Sequence, residues 1–139
     1  MKDKIYQITL TGEQMMLISR CVEDCHRFVA GQCEMHNTVS NNFDDREQNI
    51  GYRLRAVGQE VHNELGISQF QDLDYNGNGA KDIRVKRFLG NTYAIYREIL
   101  HRVTIDENYQ NCYTSPTLQS GDLGPIKIEL IHEKETTSI

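Results

Sequence analysis

The chain has 139 residues, a formal net charge of −5 and 38% apolar residues. This length is typical of one domain with its own hydrophobic core, and the acidic balance excludes a general affinity for DNA or RNA. No stretch approaches the roughly 20 consecutive apolar residues of a membrane-spanning helix, and the N-terminus has no secretion-signal pattern. We therefore expect a single soluble domain, residues 1–139, in the cytoplasm, where its four cysteines would stay reduced.

The first predicted elements are a strand and a helix. Residues 4–10 alternate between apolar and polar side chains, which predicts a half-buried strand. Thr11 and Gln14 then have the spacing of a capping box, which opens a helix that should end between Gly31 and His36. Glu23 and Asp24 are expected to face solvent. The apolar residues expected to form the buried stripe are Leu17, Ile18, Cys21, Val22, Cys25, Phe28 and Val29.

Two more helices follow. Asp44 and Glu47 repeat the capping-box spacing, and Gly66 stands where a helix-ending glycine is expected. The narrow apolar stripe of this second helix suits packing against another helix or a subunit contact. Its members are Ile50, Leu54, Val57, Val61 and Leu65. The third helix is predicted from about Ala80 to Val103, with a stripe of Val85, Phe88, Leu89, Tyr93, Tyr96, Ile99, Leu100 and Val103.

Residues 126–130 alternate again and predict a final strand. The expected fold class is therefore α+β, in the order β-α-α-α-β. Three amphipathic helices would pack on a small antiparallel sheet formed by the N- and C-terminal strands. Two strands make a marginal sheet by themselves, so we also expect a homo-oligomer.

No catalytic motif is present in the sequence, and we expect neither an enzyme nor a bound metal or cofactor. Residues 72–78 resemble half of a calcium loop, but Ile83 occupies the position of the required bidentate glutamate. No pattern of a nucleophilic serine, a zinc hydrolase or a phosphate-binding loop occurs. A hydrolytic enzyme of another kind remains an open alternative.

The basic residues indicate a binding site instead. Residues 81–102 contain six lysines and arginines against two acidic residues, a local charge of +4. Arginines hold phosphate in two-point contacts, and aromatic rings stack on nucleobases. The residues chosen on this chemistry as ligand-binding candidates are Arg53, Tyr75, Asn76, Arg84 and Arg87. The alternative is a set of solvated surface arginines beside a flexible turn.

Several segments also resemble a group of short phage and prophage proteins. They are ITLTGEQ at 8–14, HRFVAGQ at 26–32, YAIYR at 93–97, PTLQS at 116–120 and GPIKIE at 124–129. Within that group the chain is similar to the Thoeris anti-defence sponges, small oligomeric proteins that sequester cyclic nucleotide immune signals without cleaving them. The resemblance implies arginine and aromatic pockets near subunit interfaces, and Arg27 is the residue that it places in such a pocket.

Two functions follow as hypotheses. The first is a phage sponge for a cyclic ADP-ribose-type signal or a cyclic oligonucleotide. The second is a phage adaptor that binds a host protein through its helices. A sponge should hold its arginines in concave pockets, whereas an adaptor should expose a contiguous apolar patch.

Overall fold

The computed structural model describes residues 1, 3–43, 49–67, 73, 77, 79–106 and 121–131. These residues contain four α-helices and one π-helical segment: α1 at Gly12–Ala30, the π-helical segment at His36–Ser40, α2 at Asn41–Phe43, α3 at Ile50–Leu65 and α4 at Ile83–Asp106. The three predicted long helices are present, although the capping pair Asp44 and Glu47 predicted for the second one lies outside the described residues.

Both ends of α1 match the sequence prediction. The Thr11 hydroxyl accepts a hydrogen bond from the Gln14 backbone N–H at 3.1 Å, and the Gln14 side chain accepts one from the Thr11 N–H at 2.9 Å. This reciprocal pair satisfies two N–H groups that have no partner within the helix. Gly31 ends α1 in the left-handed conformation with φ of 114°, which glycine adopts without steric cost. Gly66 ends α3 in the same way, with φ of 69°.

The predicted α+β fold with a terminal antiparallel sheet is wrong. No described residue lies in a strand, and the backbones of 5–10 and 124–131 form no hydrogen bonds with each other. The side chains expected on the buried face of the first strand are solvent-exposed, Tyr6 by 74% and Ile8 by 71%. Alternating apolar residues define the face that an extended segment could bury, but they do not supply a partner for its backbone.

Helices α1 and α4 lie side by side and run in opposite directions. The Ser19 hydroxyl donates to the Tyr96 carbonyl at 3.1 Å, while further along α1 the His26 ring contacts the Thr92 hydroxyl at 2.8 Å. A small apolar cluster forms where the end of α1 meets the start of α4. Its buried members are Ile67, Val85 and Leu89, with Val29, Ala30, Leu65, Leu73 and Ala80 packed around them.

The prediction for the buried face of α1 is largely wrong, because polar residues occupy much of it. Ser19, Glu23, Asp24 and His26 are buried, whereas much of the predicted apolar stripe is exposed. The exposed members are Leu17, Ile18, Cys21 and Cys25. Polar groups can be buried at low cost when each one gains a hydrogen bond, and these side chains find partners in distant segments.

Helix α3 is also rotated relative to the prediction. Its buried residues are Gly51, Gly58 and His62, while Val57 and Val61 of the predicted stripe face outward. A Cβ atom at position 58 would lie 2.5 Å from the Cys33 Cβ and closer still to its sulfur. The absence of a side chain at Gly58 therefore allows the α3 backbone to approach Cys33.

The predicted stripe of α4 agrees better with the structure. Val85, Leu89, Tyr96, Ile99 and Leu100 are buried. Tyr93 and Val103 are half-buried, and Phe88 is exposed. None of the described helices is both long enough and apolar enough to cross a membrane.

Replacing Gly58 by alanine should destabilise the protein. Alanine normally favours a helix over glycine by up to about 1 kcal/mol, but here the added methyl would overlap Cys33. Overpacking of this kind costs about 1–3 kcal/mol, so we expect a net loss of about 1–2 kcal/mol in the free energy of unfolding. Urea denaturation of wild type and Gly58→Ala would measure it.

Gly12→Ala is the matched control, since a Cβ there meets nothing within 4 Å. It should be neutral or slightly stabilising. If Gly58→Ala were as stable as Gly12→Ala, the close contact between α3 and Cys33 would be contradicted.

His26 predicts a pH dependence of stability. Burial, together with the positive charge of Arg27, lowers the pKa of His26 from 6.5 to about 4. The unfolded chain then takes up a proton below pH 6.5 that the folded chain excludes, so stability should fall as the pH drops from 6.5 towards 4. The loss should reach about 2–3 kcal/mol near pH 4.5, measured by urea denaturation at each pH.

His26→Gln keeps an amide that can reach Thr92 but cannot titrate. Its stability should change much less than that of wild type between pH 6.5 and 4.5. Equal slopes for the two proteins would show that His26 is not the titrating group.

Candidate functional site

A cleft lies where α1 ends and the chain turns into the π-helical segment. Its lining is mainly polar: Asp24, Arg27, Gln32, Met35, His36 and Asn37. All six residues fall within fourteen positions of the sequence, so the cleft is built by one local reversal of the chain.

Two buried carboxylates hold this reversal in place. Asp24 is 0% exposed, and its carboxylate accepts hydrogen bonds from the Asn37 backbone at 3.2 Å, the Asn37 amide at 3.0 Å and the Thr38 hydroxyl. Glu23 is 4% exposed and accepts from the same Asn37 amide at 2.7 Å. The prediction that both carboxylates face solvent is wrong, because Asn37 and Thr38 supply donors that replace water.

Arg27 projects into the cleft from the last turn of α1. Its side chain is 40% exposed, and Nη1 donates to the Gln32 side chain at 2.7 Å. The buried Nε lies 3.7 Å from Glu23, which is within ion-pair range but too far for a hydrogen bond, and it makes none within the described residues. Arg27 is therefore held by Gln32 through Nη1, with its Nε buried and part of the side chain exposed.

The backbone between α1 and the π-helical segment contains an unusual conformation. Met35 adopts the left-handed region with φ of 50°, which costs a non-glycine residue roughly 1 kcal/mol. It lines the cleft directly before His36. Short π-helical segments and left-handed residues of this kind occur often at binding sites.

An ion pair ties the same turn to α3. Arg55 donates to Glu34 at 2.6 Å. Burial alone would raise the pKa of Glu34. The hydrogen bond from Arg55, a backbone hydrogen bond and the charges of Arg55 and His36 together outweigh burial, so the pKa of Glu34 is lowered. This ion pair joins α3 to the turn that forms the cleft.

None of the three arginines chosen on chemistry from the sequence lines this cleft. Arg53 is exposed on α3. Arg84 donates hydrogen bonds to the Asp82 carboxylate. These bonds, from the Arg84 side chain and backbone, lower the pKa of Asp82 to about 2. Arg87 donates to Asp122 at 2.9 Å, and Asn91 donates to the same carboxylate. The bond from Asn91, supported by Arg87, lowers the pKa of Asp122.

Arg27, Arg84 and Arg87 nevertheless lie at one end of the molecule. Because α1 and α4 run in opposite directions, the last turn of α1 packs beside the first turns of α4. Tyr75 and Asn76, the remaining sequence candidates, lie outside the described residues, as do most of the calcium-like segment and Cys112.

Sequence reasoning did not identify a buried pair formed by Cys33 and His62. The Cys33 sulfur lies 3.6 Å from either ring nitrogen of His62, and the ring also contacts the Phe28 carbonyl. Burial, with a smaller contribution from the Glu34 charge, raises the pKa of the Cys33 thiol to about 11. A buried thiol that stays protonated is a poor nucleophile, so we interpret this pair as a packing contact under α3.

Among the described residues, no three histidine, cysteine or acidic side chains are grouped closely enough to hold a metal ion. Comparison with protein-family models found no matching family, and neither curated proteins nor solved structures gave a match. The functional interpretation therefore depends on the cleft and on the sequence resemblance.

Asp24→Asn should destabilise the cleft. The replacement amide presents an NH₂ group where the carboxylate oxygen accepts a bond, which leaves at least one buried donor without an acceptor. We expect a loss of about 1–3 kcal/mol in the free energy of unfolding, measured by urea denaturation. Glu13→Gln changes an exposed carboxylate of the same helix and should cost far less. Equal effects would contradict the buried network.

Proposed function

We propose that this protein binds a small phosphorylated cyclic nucleotide, of the cyclic ADP-ribose type or a cyclic oligonucleotide, and sequesters it without cleaving it. It would act as a phage anti-defence sponge in the cytoplasm of an infected bacterium, as a homo-oligomer. The observation that carries the proposal is Arg27, whose partly exposed side chain lines a polar cleft and is held there by Gln32. Arg27 is also the residue to which the resemblance points.

The chemistry of the cleft suits a nucleotide. Arg27 can donate to phosphate oxygens through guanidinium N–H groups that Gln32 does not occupy. Gln32, His36 and Asn37 line the same cleft and offer groups for ribose hydroxyls or base edges. Met35 supplies an apolar wall against which a base can pack.

The cleft does not carry enough positive charge by itself to hold a polyanion. Glu23 and Asp24 lie beneath Arg27 and offset its charge. We therefore include Arg84 and Arg87, at the same end of the helix pair, as the source of further phosphate contacts. Each would have to exchange its aspartate partner for the ligand. Arg53, Tyr75 and Asn76 remain candidates on their chemistry alone.

A second function is favoured by a different observation. Several large apolar side chains are exposed on the helices, among them Leu17 on α1 and Tyr52 and Val57 on α3. Exposed apolar side chains can contribute to a protein interface, and the adaptor hypothesis requires that they form a contiguous patch. The two functions differ in whether the protein retains a nucleotide.

A ligand-release assay tests the proposal. The purified protein is mixed with cyclic ADP-ribose isomers and cyclic di- and trinucleotides, washed, heated and analysed by mass spectrometry. We expect one intact nucleotide to be released only after heating. Recovery of a linear or cleaved product would contradict the sponge and favour an enzyme, and the absence of any retained nucleotide would contradict nucleotide binding.

Arg27→Ala should weaken retention of that nucleotide about tenfold or more, since a charged hydrogen bond contributes about 1.5–3 kcal/mol. Arg20→Ala is the matched control, because Arg20 is exposed on the same helix and does not line the cleft. It should bind as wild type does. Equal retention by both variants would contradict a role for the Arg27 cleft.

A further inference from the structure

Helix α3 carries an apolar stripe that the rest of the described chain covers only in part, with Ile50 and Leu54 half-buried. Val57 is 57% exposed and Val61 is 39% exposed, although both are β-branched residues on one face of a regular helix. Leu54 continues this face one turn earlier and is half-buried. The adjacent face of α3, about a quarter turn round the helix, already packs on the protein through Gly51, Gly58 and His62. An apolar stripe on the outer face therefore needs its own explanation.

The spacing of this stripe is that of a helix that pairs with another helix. Ile50, Leu54, Val57 and Val61 follow one another at steps of four, three and four residues. These are the core positions of two successive heptads, in the order d, a, d, a. We name this set the α3 seam.

The α3 seam is complementary to itself. In an antiparallel pair of helices, each a position packs beside a d position of its partner. A twofold axis between residues 55 and 56 places Leu54 opposite Val57 of a second copy, and Ile50 opposite Val61. All four layers are then filled by apolar side chains, as an isologous interface requires.

The charges beside the seam are also self-complementary. Arg53 and Glu60 both occupy g positions of this register and both are exposed. In the same antiparallel pair, g positions face g positions, so Arg53 of each copy lies beside Glu60 of the other. A parallel pair would bring Arg53 towards Gly58, which has no charge to offer.

We propose that the α3 seam is the interface between two copies of this chain, which pair through antiparallel α3 helices. This inference specifies the self-association assumed in the proposed function, but it does not depend on the nucleotide. A pair of helices only two heptads long buries an area at the low end of specific interfaces. We therefore expect a dimer with a dissociation constant in the micromolar range.

The test is sedimentation equilibrium of the full chain over a micromolar to millimolar series of concentrations. Arg53→Glu and Glu60→Arg should each raise the dimer dissociation constant by about tenfold or more, because like charges then face each other across the axis. The double variant Arg53→Glu with Glu60→Arg restores opposite charges and should return the constant to within about threefold of wild type.

Val57→Lys tests the apolar core of the seam, and Tyr52→Lys is its control. Tyr52 is equally exposed on α3 but lies at an f position, away from the partner. Val57→Lys should be monomeric, and Tyr52→Lys should dimerise as wild type does. Circular dichroism and urea denaturation would establish that each variant is folded.

A wild-type chain that remains monomeric throughout the series would overturn the proposal. A dimer that still forms in Val57→Lys would also overturn it. So would a double charge-reversal variant whose dimer dissociation constant is no lower than those of the single variants. The ligand-release assay tests the Arg27 cleft and not the α3 seam, so failure of dimerisation and failure of nucleotide binding are distinguishable.

Discussion

The rest of the structure depends on the buried carboxylate of Asp24. A carboxylate removed from water is costly unless every oxygen is satisfied, and here Asn37 and Thr38 supply the donors. Those two residues lie in the π-helical segment that follows α1. The carboxylate therefore determines where the chain turns, and the turn creates the cleft that Arg27 faces. The Glu34 to Arg55 ion pair then links the same turn to α3.

The helices were predictable because their signals are local. Thr11 and Gln14 cap α1 through bonds that span three residues, and Gly31 and Gly66 end their helices by their own backbone conformation. Helix α4 was predicted well, since its buried stripe consists mainly of apolar residues. In each case the residues that decide the structure are close together in the sequence.

The faces that α1 and α3 bury were not predictable in this way. Periodicity assumes that apolar residues point inward, but Ser19 is buried because it bonds to Tyr96, which is 77 residues away. Gly58 is buried because Cys33 approaches it from another segment. Of the apolar stripe predicted for α3, Val57 and Val61 lie on the outer surface, and the remaining members are only half-buried. In the candidate site, the resemblance identified Arg27, while Asn37 and Thr38 gave no signal before the structure showed their partners.

The cleft is proposed to bind a nucleotide, and the α3 seam is proposed to bind a second copy of the chain. The ion pair between Glu34 and Arg55 connects the two surfaces. The most direct test of the cleft is an NMR titration that follows the side-chain Nε–H signal of Arg27, using cyclic ADP-ribose isomers and cyclic oligonucleotides as probes. This N–H is buried, but it belongs to the same guanidinium as the exposed part of the side chain, so a phosphate bound by Arg27 should shift its signal. The probe that the protein retains should produce this change and leave the Arg20 signal unaffected. A retained nucleotide that leaves the Arg27 signal unchanged would contradict this prediction.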